Sequence, residues 1–228
     1  MLIEWTRRVN ALTQMRVADP MVPILDKDSE HHLRKVLRAQ VGEEIVVTNG
    51  SGSWSFALVQ DSGLKRVSEV SVDPQPADVA LYLAPLKGDR SEWVVAKATE
   101  LGVSVLVPLL SERLAVKFKG EARSKILDRW RRISEEATGQ CRRTYDLVIG
   151  EPVTPDQVPP HVAVADFGGG SDLAGIRAMA IGPEGGWAPG EWALERTVIS
   201  LGSTVLRGET EAIAAAALMT LGAQGMTL

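Results

Sequence analysis

The chain of 228 residues holds one cysteine and three histidines. Cys141 alone cannot close an internal disulfide. With no apolar leader-type stretch at the start, this points to a reducing, cytoplasmic setting. No second Cys and no His lies near Cys141 in sequence, so neither a metal site nor a thiol nucleophile is expected there. No apolar run approaches the roughly 18 residues of a membrane span. A Walker loop is missing. Gly168-Gly169-Gly170 and Gly182 to Gly186 lack the spacing of a dinucleotide fingerprint, which argues against an NAD- or phosphate-binding oxidoreductase. Internal repeats and low-complexity tracts are absent.

What is present is an uneven charge distribution. The net charge is −4. Between Arg113 and Arg143, however, ten basic residues face four acids, whereas from Thr144 onward three bases face ten acids. Such asymmetry concentrates positive potential and steers polyanions. The cluster, with Arg129, Arg131, Arg132, Arg142 and Arg143 at its heart, is a candidate RNA-contact region. A solvated helix face is the plainer reading of any one of these residues.

Asp73-Pro74-Gln75-Pro76 marks an extended connector. Before it, Glu44 to Thr48 and Trp54 to Gln60 flank Asn49-Gly50-Ser51-Gly52-Ser53, a hairpin signal. Asp28 is placed to cap a short helix with Leu33, Val36 and Leu37 on one face. A small β-barrel over residues 1–73 fits. After the connector, strand and helix signals alternate over 78–228, the mark of an α/β fold with a largely parallel sheet. The expected strands are Val79 to Leu83, Val103 to Leu110, Val162 to Ala165 and Met179 to Ile181. Asp89 is expected to cap a helix that Gly102 ends. Ile126, Trp130, Ile133 and Ala137 recur at helical spacing. Pro189 suits the first turn of another helix, and Thr210 to Leu221 reads as an alanine-rich last one.

Two glycine-bearing loops follow apolar runs in this second part: Ile181-Gly182-Pro183-Glu184-Gly185-Gly186-Trp187, and Leu201-Gly202 followed by Val205-Leu206-Arg207-Gly208-Glu209-Thr210. Glycine permits tight turns and close approach of backbone to ligand, and loops at strand ends are where open α/β sheets bind ligands. A nucleotide-type site is therefore expected, with turn geometry alone as the plainer alternative. Glu184 either holds its loop by accepting from amides or touches a ligand. Arg207, permanently charged, suits neighbouring carbonyls or a phosphate better than proton transfer. Trp187 follows the first loop directly and is either packing or a stacking face. His161 and His31-His32 fit surface or RNA-contacting roles.

In combination these two loops, Lys97-Ala98-Thr99-Glu100-Leu101-Gly102-Val103, Glu136-Ala137…Gln140…Arg142 and His32-Leu33…Val36-Leu37-Arg38 resemble the RsmE family over nearly the whole chain. The family comprises bacterial 16S ribosomal RNA uridine N3-methyltransferases of the SPOUT class. The resemblance implies an N-terminal PUA-like RNA-binding domain and a C-terminal SPOUT α/β domain with a deep trefoil knot. It also implies S-adenosylmethionine as cofactor, 16S rRNA within the small subunit as partner, and a homodimer. The cofactor loops map to Asp166-Phe167-Gly168, to Ile181, Gly182, Pro183, Gly185 and Gly186, and to Leu201, Gly202, Val205, Leu206 and Arg207. Arg34, Lys35 and Arg38 join the five arginines named above as expected RNA contacts. The open alternatives are ribose 2′-O-methylation by a protein of the same class, or a non-catalytic RNA-binding assembly factor. No metal is needed to activate a sulfonium methyl. No catalytic base is named; Arg142, Arg207 and Glu184 are the candidates for chemistry. The family usually continues Glu-Thr-Ala after the last arginine. Here Glu211 follows Thr210, an extra carboxylate beside the cofactor loop.

Overall fold

The computed structural model describes residues 2–193 and 195–226; residue 1 of the expected first domain and residues 194, 227 and 228 of the second lie outside the description. The chain divides into two compact units. One comprises the residues up to Gln75 together with Glu135–Asp146, and the other Pro76–Ser134 and the residues from Leu147 onward. The division is thus not a single cut between 73 and 78, because a mid-chain segment completes the first unit.

In the first unit the elements are α1 (Leu2–Asn10), β1 (Gln14–Arg16), α2 (Lys27–His31) running into a π turn (His32–Val36), β2 (Glu44–Thr48), β3 (Ser53–Val59), β4 (Leu64–Arg66) and β5 (Ser71–Val72). The strands form one sheet in the order β1-β2-β3-β4, with β5 also on β3. β1 runs parallel to β2 and the remaining pairs are antiparallel. The two-residue alternation of a strand sends Ile45, Val47, Ala57 and Val59 to one apolar cluster with Leu33, and Val46, Trp54 and Phe56 to another with Ala11.

The mid-chain segment docks by backbone bonds at the expected hairpin. Gly52 N donates to the Thr144 carbonyl (2.9 Å) and Asp146 N to that of Gly50 (3.0 Å). Gly52 has φ +96°, and a Cβ there would run into the Tyr145 ring. Asp73 ties the same region together. Arg8 Nη1 (2.8 Å), Thr144 Oγ1 (2.8 Å) and Trp54 Nε1 (2.9 Å) all donate to its carboxylate. Burial opposes its ionisation, but these donors outweigh burial and hold its pKa below the ordinary value.

Two local expectations are corrected. The cap of α2 is Asp26, whose Oδ1 accepts from Ser29 N at 2.7 Å. The π turn then breaks the helical register, so Leu33 is buried while Val36 stays 60% exposed. The sequence also gave no sign of α1, because Ile3, Trp5 and Val9 remain exposed and the buried side chain of its outer turn is Arg8.

In the second unit the elements are β6 (Ala80–Leu83), α3 (Arg90–Leu101), β7 (Val105–Pro108), α4 (Gly120–Gln140, leaving this unit after Ser134), β8 (Val148–Ile149), β9 (Ala163–Gly170), β10 (Ala178–Ile181), β11 (Val198–Ile199) and α5 (Gly208–Ala223). Six strands lie in the order β11-β9-β10-β6-β7-β8, every pair parallel. The expected parallel α/β sheet is therefore present. Its centre is β10, buried along its whole length, as a strand covered on both faces must be. α5 buries Ala212, Ala215, Ala216 and Met219 and packs on α3. On α4, Trp130 is 1% exposed and packs against Phe118 at 6.1 Å, which settles it as core.

Gly102 ends α3 in the left-handed region (φ +96°), as its position predicted. Asp89 holds the N-cap position but its side chain makes no capping bond. Pro189 starts no helix. Pro189 and Gly190 form a turn, and Glu191 fixes the loop by accepting from Ala188 N (2.8 Å) and Glu112 N (2.7 Å). No helix among the described residues is long and apolar enough to cross a membrane.

Candidate functional site

Because the strands are parallel, the segments leaving β6, β10 and β11 emerge at one edge of the sheet. There, with the middle of β9, they enclose a cavity of about 550 Å³. Ala165, Asp166 and Phe167 come from β9. Gly182, Pro183, Glu184, Gly186 and Trp187 come from the loop after β10. Ser200, Leu201, Gly202, Thr204, Val205, Leu206 and Arg207 follow β11, with Gly208 and Glu211 on α5 and Arg90 on α3.

The glycines differ in what they permit. A Cβ on Gly182 would lie 3.1 Å from the Trp187 ring, so the bare backbone lets the indole close over the turn. Gly202 has no neighbour within 4 Å of such an atom and leaves space at the wall. Gly208 allows α5 to begin against Leu86, whose Cδ2 would sit 2.8 Å from an added Cβ. Trp187 is a packing residue that also lines the cavity: its Nε1 donates to the Ala165 carbonyl (2.9 Å) and its ring meets Trp192 edge-on at 5.0 Å.

Charge around the cavity is organised by Arg90. It lies 3.3 Å from Glu184 and 3.8 Å from Glu209. Glu184 Oε1 also accepts from Lys87 N at 3.0 Å, so it performs the loop-holding role and lines the cavity as well. Arg207 occupies the N-cap position of α5, and its exposed guanidinium bonds no carbonyl among the described residues. Glu211 is half-buried one turn into α5. Burial first, and the Asp166 charge second, push its pKa up to about 7.

Of the expected cofactor residues, Gly168, Ile181 and Gly185 do not line the cavity. Ile181 is fully buried in the sheet core. Gly185 is turned toward Arg113, whose Nη1 reaches its carbonyl at 3.3 Å. Gly168 takes φ +86° further along β9. Ala165, Arg90 and Ser200 line the cavity and were not singled out from sequence. Arg90 carried no local signal, since only the tertiary approach of α3 brings it there.

The expected RNA-contact residues fall into two groups. Arg34 is turned inward, bonded to Glu30 (2.9 Å) and to the Gln60 carbonyl (2.5 Å), while Lys35 and Arg38 are exposed. On α4, Arg129 pairs with Glu92 and Arg131 with Asp128 (2.9 Å), and Arg132 is exposed. Arg142 is the remaining candidate for chemistry. It does not line the cavity; in the first unit its Nη2 donates to the Ala11 carbonyl (2.9 Å), and burial with the Arg8 charge lowers its pKa. Arg143 is also half-buried, and burial lowers its pKa in the same way. In the second unit an open cleft is lined by Lys117, Lys119 and Lys125, with Glu121 among them.

A family model described as an RNA methyltransferase domain matches residues 73–220. The chain belongs to this RNA methyltransferase family. A second model, an RNA methyltransferase PUA domain, matches residues 25–68. Among relatives, the chain is 31% identical to Ribosomal RNA small subunit methyltransferase E of Synechocystis, over 79% of this chain and 66% of that protein. It is 29% identical to the protein of that name from Mycobacterium bovis, over 90% of this chain and 86% of the relative. A crystal structure of Ribosomal RNA small subunit methyltransferase E from Neisseria gonorrhoeae bound to S-adenosyl methionine superposes with a TM-score of 0.79 at 25% identity, covering 91% of this chain and 96% of that one. The cavity lies wholly within the part of the chain that the RNA methyltransferase model covers.

Proposed function

We propose that this protein transfers the methyl group of S-adenosylmethionine to N3 of a uridine in the 16S RNA of the small ribosomal subunit. The observation that carries this reading is the cavity itself, built by the loops after β10 and β11 with the middle of β9 at one edge of a parallel sheet in an RNA methyltransferase chain. Its volume of about 550 Å³ lies within the roughly 300–1,000 Å³ of small-molecule sites. Gly182, Gly186 and Gly202 expose backbone to a ligand at its wall, which suits recognition of an adenine edge by main-chain groups. When bound, the cofactor supplies a methyl already activated on a sulfonium, so the chain's own task is alignment and removal of the N3 proton.

Glu184 and Arg90 brace the first loop. Arg207, whose exposed guanidinium has no partner among the described residues, is suited to hold a phosphate or a uracil oxygen. Phe167 and Val205, 67% and 84% exposed at the cavity wall, suit closure by RNA or by a second copy of the chain. This supports a homodimer working on RNA. The exposed α4 residues and the lysine cleft supply phosphate contacts.

The test is nucleoside mass spectrometry of 16S rRNA from cells with and without the gene, alongside cofactor calorimetry. Loss of 3-methyluridine on deletion is expected. Unchanged 3-methyluridine, or loss of a 2′-O-methyl nucleoside instead, overturns the reading.

A further inference from the structure

Glu211 and Asp166 stand in the same cavity on different elements, Asp166 on β9 and Glu211 one turn into α5. Resting on the cofactor reading above, we propose that these two carboxylates form an acidic wall that recognises the sulfonium charge of S-adenosylmethionine and thereby discriminates it from S-adenosylhomocysteine.

Neither carboxylate forms an ion pair among the described residues. Among the described residues no cation pairs with Glu211, because the nearby Arg90 is engaged by Glu184 and Glu209. Among the described residues the Asp166 Oδ1 accepts from Phe167 N alone, at 2.8 Å. The charged groups lining the cavity are Asp166 from β9, Arg90 from α3, Glu184 from the loop after β10, and Arg207 and Glu211 themselves, with Glu209 behind Arg90. The positive end of the α5 dipole favours an ionised Glu211. Burial and Asp166 nevertheless outweigh it and hold the carboxyl half-protonated near neutrality. A half-buried acid beside a like charge is costly when empty and is relieved when a cation enters.

The amino-acid end of the cofactor carries both an ammonium and a carboxylate, and an acidic wall would repel the latter. The sulfonium is the one uncompensated positive centre. The demethylated product has a neutral thioether there and shares every other group. A wall that favours the sulfonium therefore favours substrate cofactor over spent cofactor.

Calorimetry near pH 7 in buffers of different ionisation enthalpy tests this without reference to activity. Wild-type protein should release roughly half a proton on binding S-adenosylmethionine, and clearly less on binding S-adenosylhomocysteine. Glu211→Gln should abolish that difference and lower the preference for the methylated cofactor roughly tenfold. Asp166→Asn should lower it too, and circular dichroism checks that both variants fold. Equal loss of affinity for both ligands in Glu211→Gln, or unchanged preference, overturns the sulfonium assignment while leaving the cofactor reading intact. Binding of neither ligand to wild-type protein at any pH overturns both.

Discussion

Arg90 Nη1 lies 3.3 Å from Glu184 Oε1, linking the start of α3 to the glycine loop that follows β10. Both side chains are partly exposed, so the ion pair by itself contributes at most about 1 kcal/mol to stability. Its value is positional. Arg90→Met should leave the melting temperature within a few degrees of wild type and weaken cofactor binding several-fold by calorimetry. Glu184→Ala should cost somewhat more in stability, about 1 kcal/mol, because it also removes the acceptor of the Lys87 amide. Equal effects of the two variants on stability would contradict this division.

Two glycine replacements should separate packing from cofactor contact. Gly202→Val projects into open space at the cavity wall and should lower cofactor affinity by more than tenfold with unchanged stability. Gly182→Val must displace the Trp187 indole, and should therefore lose stability as well, by about 1–3 kcal/mol. Chemical denaturation read by tryptophan fluorescence distinguishes the two.

Glu211 gives stability a specific pH dependence. Its folded pKa, raised to about 7, means that the folded state holds the proton more tightly than the unfolded one. The associated stability is complete below the ordinary glutamate pKa and is lost as pH rises through about 7. The loss should approach ~3 kcal/mol at most, less with solvent screening. Melting curves should therefore show Glu211→Gln gaining on wild type between pH 5 and 8, an interval of roughly three units. A constant difference across that interval would be the contrary result.

Asp73 works with the opposite sign. Its depressed pKa gives stability that is present above the ordinary aspartate pKa and lost as pH falls through the lower folded value. Asp73→Asn leaves Arg8, 6% exposed, without its counter-charge. Equilibrium unfolding should show a loss of about 2–4 kcal/mol at neutral pH, shrinking in acid.

Among the basic residues, Lys125 and Arg132 are exposed on α4. Replacing both by glutamine should lower RNA affinity and reduce the slope of log K against log salt by about 0.7–0.9 per lost phosphate contact. Arg142→Gln should instead destabilise the first unit, because its guanidinium is bound to the Ala11 carbonyl. Filter binding across a salt series, set beside melting curves, checks both.

The parallel sheet, α3 with its Gly102 terminus and the stripe of α4 were legible because buried apolar runs, helical spacing and a left-handed glycine are local signals. The glycine loops were legible for the same reason. What failed was non-local. Pro189 has the right φ for a helix start, yet Glu191 spends its carboxylate on Ala188 and Glu112 and holds a turn instead. Arg142 reads as a surface cation in sequence and is turned inward by a backbone bend at φ +62°. Ile181 belongs to the motif in sequence, but it ends a strand covered on both faces and so lies in the core, and Arg90 enters the cavity from a helix that carries no ligand motif.

The incorporation of Glu135–Asp146 into the first unit bears on the order in which the chain is made. Synthesis proceeds from the N-terminus and units fold as they become complete. Asp73 has to wait for Thr144, and Gly50 for Asp146, before their bonds can close. By then β6, α3 and β7 have already been synthesised, while Ala80 must still wait for Ala178 to pair with it. The apolar strands Ala80–Leu83 and Val105–Pro108 are thus made well before the buried central strand that joins them to the rest of the sheet. The nascent protein carries that surface from Leu83 until Ala178 is made, somewhat less than half of its translation, a period in which chaperone binding and aggregation compete with folding.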